Sequence, residues 1–214
     1  MKRSVPNARD VQEAVAAYDR DFGHVDADFW TRSRGLRECL LSNQCTPELE
    51  RFVWDIKCQW GIQGVRCETG PIAAEVLANL DWDASWFDLE SAYANDDELF
   101  ARNLLPRYVR AMKAAGVPRR EYSYGSKILH WLMPARMPLY DSAIRAQLGV
   151  RQAASPQEAF REIVSWEFAA ARELNQTGRE WMGSSKPATA LRALDKYLWW
   201  EGGGRESGSH MRAR

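Results

Sequence analysis

GSKILHWLMPARMPLYDSAIRAQLG, residues 125–149, decides how the chain is read. Ile128, Leu129, Trp131 and Leu132 recur at helical intervals around Lys127, which predicts a helix running from Ser123 as cap to about Met133. Pro134 and Pro138 then force an extended connection, because proline lacks an N–H and pushes the preceding residue out of helical geometry. Asp141 stands just ahead of SAIRAQLG, where a short side-chain oxygen can cap a new helix. Each polar residue has a plain reading: Lys127 snorkels from a half-buried helix, and Asp141 is a cap worth about 1 kcal/mol. Read alone, the stretch favours these two plain readings over a shared active site.

The helical period extends outward in both directions, with almost no strict alternation. Val11, Val15, Tyr18 and Phe22 form one stripe, expected to end at Gly23, and residues 28–43 read as a second helix. Thr46 and Pro47 supply an N-cap and a proline at the first helical position, and PELERFVWDIKCQW follows as a helix stopped by Gly61. Further helices are expected over about 71–80, over DASWFDLESAY, and over 96–115, where Pro106 is expected to start a new segment. Ser155, Pro156 and Glu158 form a capping box opening a helix to about Asn175. A last helix after Pro187 carries Leu191, Leu194, Leu198 and Trp199. The expected fold is all-α, with about ten helices.

At 214 residues and 45% hydrophobic content, the chain can bury a substantial core. No apolar run reaches the roughly 18 residues of a membrane span, and MKRSVPNARD lacks the apolar stretch of a secretory signal. A cytoplasmic monomer without a membrane partner is the resulting expectation. Cys39, Cys45, Cys58 and Cys67 form no C-x-x-C pair, so most are expected to be buried thiols and a metal site is not expected.

Lys and Arg balance Asp and Glu at 29 each, yet the charges are segregated. Residues 68–98 hold nine acids and no Lys or Arg, whereas Arg102, Arg107, Arg110, Lys113, Arg119 and Arg120 follow with no acid among them. The run is either a solvated helix face or a basic surface on a neutral protein, and the second suits phosphate contacts.

GSK, an apolar helix and PLYDSAIRAQLG together resemble the helix-hairpin-helix DNA glycosylase superfamily, the endonuclease III and adenine or oxoguanine glycosylase group. Gly125 and Lys127 match that family's hairpin end, while Pro138, Asp141 and Arg145 match the pattern around its catalytic aspartate. LLSNQCT, residues 40–46, resembles its L-S-x-Q-x-T, which places Gln44 on the glutamine that wedges into the DNA stack. REYSYG stands where the family has L-P-G-V-G, so the hairpin is degenerate.

The resemblance implies a two-lobed helical fold, with residues 28–136 as the central lobe, 1–27 plus 137–201 as the second, and 202–214 as a tail. It implies excision of a modified or damaged base from double-stranded DNA, without a cofactor. Asp141 would stabilise the cationic sugar, and Lys127, once neutral, could attack the anomeric carbon as a Schiff-base lyase; lowering a lysine pKa from about 10.4 toward 7 or 8 takes about 3 to 5 kcal/mol. Gln44, Tyr124, Ser126, His130, Trp131, Tyr140 and Arg145 are the expected substrate contacts. Arg107, Arg110, Lys113, Arg119, Arg120 and Gly125 are the expected contacts to the DNA backbone. The alternative is a noncatalytic DNA-binding or protein-interaction module on the same scaffold.

Overall fold

The computed structural model describes residues 4–60, 62, 68–88, 95–117, 121–150, 155–176 and 189–203. These residues form nine α-helices and one 3-10 helix, with no strand among them, so the all-α expectation holds. The helices are α1 (Ala8–Gly35), α2 (Arg37–Leu41), α3 (Pro47–Gln59), α4 (Thr69–Ala78), α5 (Asn95–Ala114), α6 (Tyr122–Leu132), α7 (Ser142–Leu148), α8 (Pro156–Gln176) and α9 (Ala190–Glu201). A 3-10 turn, Ala84–Phe87, lies between α4 and α5.

Local caps set several of the boundaries. Thr46 accepts from the Leu49 N–H at 3.2 Å and starts α3, and Thr189 does the same for α9 through Arg192 at 3.1 Å. Ser155 and Glu158 close the reciprocal capping box of α8, with Glu158 accepting from the Ser155 N–H at 3.0 Å. Asp141 caps α7 by accepting from Ala143 N–H at 2.9 Å, and Gly149, in the left-handed region at φ 66°, ends it.

Two expected breaks do not occur, each for a packing reason. Gly23 does not end the first helix: α1 continues for 28 residues, because its buried stripe runs on from Tyr18 and Phe22 through Asp26, Phe29 and Trp30. A mid-helix glycine costs roughly 0.5–1 kcal/mol, less than burying one large side chain provides. Pro106 lies inside α5 rather than at a new start, and its neighbours Leu105, Tyr108, Val109 and Met112 are fully buried. Ser123 sits in the first turn of α6 instead of capping it; Glu121 holds the cap position and makes no side-chain capping bond to the helix. The segment expected to be helical through DASWFDLESAY is a single 3-10 turn over its described part.

One hydrophobic core draws on α1, α3, α4, α5, α6, α8 and α9, so the residues assigned to the two predicted lobes share a common interior. The centre of that core is α6, which packs against α1, α3 and α5. Its residues Tyr122 and 124–132 are all buried, as expected of a helix enclosed on every side.

Gly125 explains how closely α6 approaches α5. A Cβ placed on it would lie 3.0 Å from Leu105 Cδ1 and 3.3 Å from Tyr108 Cδ1, while its N–H donates to Glu121 O at 2.9 Å. Its place here is close helix packing, with its N–H committed within α6 rather than turned toward a phosphate. Replacing Gly125 with Val should destabilise the fold by about 1–3 kcal/mol through overpacking, read as a lower urea midpoint at unchanged slope.

Candidate functional site

Lys127 and Asp141 come together. Lys127 Nζ lies 2.8 Å from Asp141 Oδ2 and 3.0 Å from Ser123 Oγ, one helical turn back. The lysine side chain is only 4% exposed and the aspartate 18%, so the pair sits at the edge of the interior. Asp141 divides its carboxylate: Oδ1 caps α7 and Oδ2 holds the lysine. Burial pushes its pKa up, but the Lys127 charge and hydrogen bond with the Ala143 N–H outweigh burial and hold it below the ordinary carboxylate value. It is an anion at neutral pH.

The pair faces a small cavity also lined by Tyr18, Trp60, Leu139, Arg192 and Trp199. Its volume is about 10 Å³, room for roughly one water molecule. Grooves of about 580 and 490 Å³ lie along α3, lined in part by Arg32, Arg51 and Phe52 or by Trp54 and Pro71, and include neither residue of the pair.

Beneath the cavity lies a polar network that the sequence reading did not assemble. Arg192 clamps Asp26 through Nε at 3.0 Å and Nη2 at 2.6 Å, and Nη2 also donates to Tyr18 Oη at 2.8 Å. Lys196 reaches Asp19 at 2.5 Å and Asp26 at 3.1 Å. The Arg192 guanidinium also lies over the rings of Tyr18 and Trp131, at 5.1 and 5.0 Å. The signal was present in ALRALDKYL, where Arg192, Asp195 and Lys196 share one face of an apolar helix; all three are buried. The partners of Arg192 and Lys196 on α1 are more than 160 residues away in sequence.

Several expected substrate contacts instead hold the core together. Tyr124 is fully buried and donates its hydroxyl to Val53 O at 2.9 Å. Trp131 is 1% exposed and packs against Phe29 and Trp60, so it does not reach an open cleft. His130 is buried; its Nδ1 lies 2.7 Å from Met137 O, which makes Nδ1 the protonated nitrogen, since a carbonyl only accepts. Burial first and the Arg192 charge second push its pKa well below the usual imidazole value, leaving it neutral. Ser126 accepts from the Tyr140 N–H at 3.0 Å, and the Tyr140 ring packs against Tyr122 and Phe160. All five support the fold here, and none projects into an open cleft.

Arg145 is half-buried, its guanidinium 5.4 Å from the Tyr140 ring centroid. Gln44 is exposed on the turn between α2 and α3, following Asn43 at φ 53°, and is not among the residues lining the cavity. Arg107, Arg110 and Lys113 are exposed along one side of α5, with Arg107 paired to Asp81 at 3.1 Å. Arg119 and Arg120, and the thiol of Cys67, lie outside the described residues. Cys39, Cys45 and Cys58 are free thiols, of which Cys39 and Cys45 are half-buried and Cys58 is exposed, so none of the three is fully buried and the expectation of mostly buried thiols is corrected for them.

Among the described residues, no group of three or more His, Cys, Asp or Glu could hold a metal ion. No described helix is long and apolar enough to cross a membrane. No protein-family model matches the chain, and comparison with curated proteins and with solved structures finds no match.

Proposed function

We propose that the chain is a DNA glycosylase-like protein that excises a modified or damaged base, with Asp141 and Lys127 as its reacting pair. The observation carrying this reading is the 2.8 Å contact between a buried lysine and a helix-capping aspartate facing one cavity. An anionic Asp141 is placed to stabilise positive charge on a sugar as its base departs. Lys127, held as an ammonium in the ion pair, is first an orienting cation. It becomes a nucleophile only after losing a proton, and Asp141, held below the ordinary carboxylate value, is a poor base for taking it.

A flipped nucleotide costs a few kcal/mol to extrude and needs far more room than about 10 Å³. Binding therefore has to displace Trp60 and Trp199, the half-buried aromatics at the cavity. The exposed cations Arg107, Arg110 and Lys113 supply phosphate contacts in this reading.

The small cavity favours a second reading, a noncatalytic module in which the ion pair is only a clasp between α6 and α7. Duplexes carrying a panel of oxidised, alkylated and deaminated bases, together with an abasic duplex trapped by borohydride, separate the two. Base release from at least one duplex supports the enzyme; no release and no adduct across the panel leaves the noncatalytic module. Duplex affinity should fall steeply as salt is raised, and an affinity indifferent to salt would remove DNA as partner.

A further inference from the structure

Residues 133–140, the connection between α6 and α7, are buried throughout without being helical over most of their length. Some of their backbone groups pair within the turn, as the Met137 N–H does with Met133 O at 2.9 Å, and others find side-chain partners. Pro134 O accepts from Thr189 Oγ1 at 2.9 Å, Met137 O from His130 Nδ1 at 2.7 Å, and the Leu139 N–H donates to Asp195 Oδ1 at 3.1 Å. With the Tyr140 N–H on Ser126, the strap is pinned up to the residue before Asp141.

Asp195 is itself fully buried, and so is Glu167, the carboxyl on α8 that interacts with it. His130 Nδ1 lies 3.2 Å from Asp195 Oδ2, but its one hydrogen is committed to Met137 O. Asp195 Oδ2 and both carboxyl oxygens of Glu167 therefore meet no protein donor. Two bare carboxylates in that setting are strongly disfavoured, whereas one proton between them gives Glu167 a hydroxyl to donate and Asp195 a hydrogen bond to accept.

We propose that Glu167 and Asp195 share a proton across the α8–α9 contact, and that this acid pair positions Asp141 against Lys127 through the Leu139 N–H. Its importance for catalysis rests on the glycosylase reading; the shared proton and the hold on Asp141 do not.

The charged and titratable groups around the pair are Arg192 and Lys196 on α9, His130 and Lys127 on α6, Asp141 at the head of α7, and Asp26 and Tyr18 on α1. Arg192 is committed to Asp26 and Tyr18. Burial, reinforced for Glu167 by the Asp195 charge, raises both acids above the ordinary carboxylate range. The folded state thus keeps protons that the unfolded chain releases from about pH 4 upward, so this pair's contribution to stability declines as pH rises from there toward the raised values.

Two measurements on the full chain test the proposal. Infrared spectra at about pH 7 should show a protonated-carboxyl carbonyl band that disappears in Glu167→Gln, a variant whose amide can still donate to Asp195. The same variant should flatten the decline of urea stability with pH. In carboxyl-detected NMR, Asp141 should titrate below the ordinary carboxylate value in wild type and in Asp195→Asn, which keeps an acceptor for the Leu139 N–H, and shift upward in Asp195→Leu. Absence of the protonated band overturns the shared proton. An unmoved Asp141 titration in folded Asp195→Leu, or an equal shift in Asp195→Asn, overturns the positioning role. Should Asp195→Leu fail to fold, an Asp195→Asn titration as high as that of an ordinary carboxylate overturns it too. Lack of base release by the wild-type protein sinks the glycosylase reading and leaves these outcomes unchanged.

Discussion

Replacing Asp26 with Ala should cost about 3–5 kcal/mol of stability, the effect expected when one partner of a buried ion pair is removed. Asp26 is fully buried and is the shared acceptor for Arg192, Lys196 and the Tyr18 hydroxyl. Without it the Arg192 guanidinium, 4% exposed, keeps its charge in an apolar surround with only Tyr18 still accepting. The penalty comes from the stranded cation more than from the lost attraction. Removing both sides should therefore cost less than the sum: Asp26→Leu combined with Arg192→Met should recover part of the loss. Urea unfolding of the wild type, both single variants and the double variant reads this coupling. Additive losses would show that the clamp stabilises mainly through packing, including the Arg192 contacts with Tyr18 and Trp131.

This clamp bears on the candidate site because Tyr18 and Arg192 line the same cavity as Lys127 and Asp141. On one side of the cavity α1 is bolted to α9; on the other α6 is clasped to α7. An acid pair between α8 and α9 fixes the strap that joins the clasp to the rest. Function at this cavity has to leave the bolts in place and move Trp60 and Trp199, which are half-buried and free of such polar ties among the described contacts.

Local signals carried much of the fold. Thr46-Pro47, Asp141 and the Ser155–Glu158 box declare themselves within four residues, because a cap satisfies backbone groups of its own helix. The misread positions are those where tertiary packing overrules a local breaker: Gly23 and Pro106 are carried inside helices whose buried stripes run past them. The site was legible to the extent that its members are close in sequence. Lys127 and Asp141 are 14 residues apart, joined by a strap whose prolines limit where it can go. Arg192 and Asp26 are 166 residues apart, and nothing local to either announces the other. The full burial of Tyr124, His130 and Trp131 was not legible for a related reason: periodicity shows that one face of α6 is buried, but only the packing of α1, α3 and α5 around it shows that every face is.

Asp141→Asn and Lys127→Ala should affect base release differently if the proposed reaction runs through this pair. Asparagine keeps an oxygen to cap α7, so the fold should survive, but it removes the negative charge facing the developing cation. Loss of a positioned charged group of this kind lowers rates by roughly 10²–10⁴-fold. Lys127→Ala leaves the carboxylate in place and removes the ammonium 2.8 Å from it. Its effect on hydrolytic base release should be the smaller of the two, while any borohydride-trapped adduct should vanish completely. Lys127→Arg should restore the ion pair without restoring the adduct, since a guanidinium stays protonated and cannot form a Schiff base. Single-turnover base release and borohydride trapping, measured on the same three variants after circular dichroism has confirmed their fold, read both effects. Equal losses of base release in all three, with no adduct in the wild type, would mean that the pair holds α6 to α7 and takes no part in chemistry.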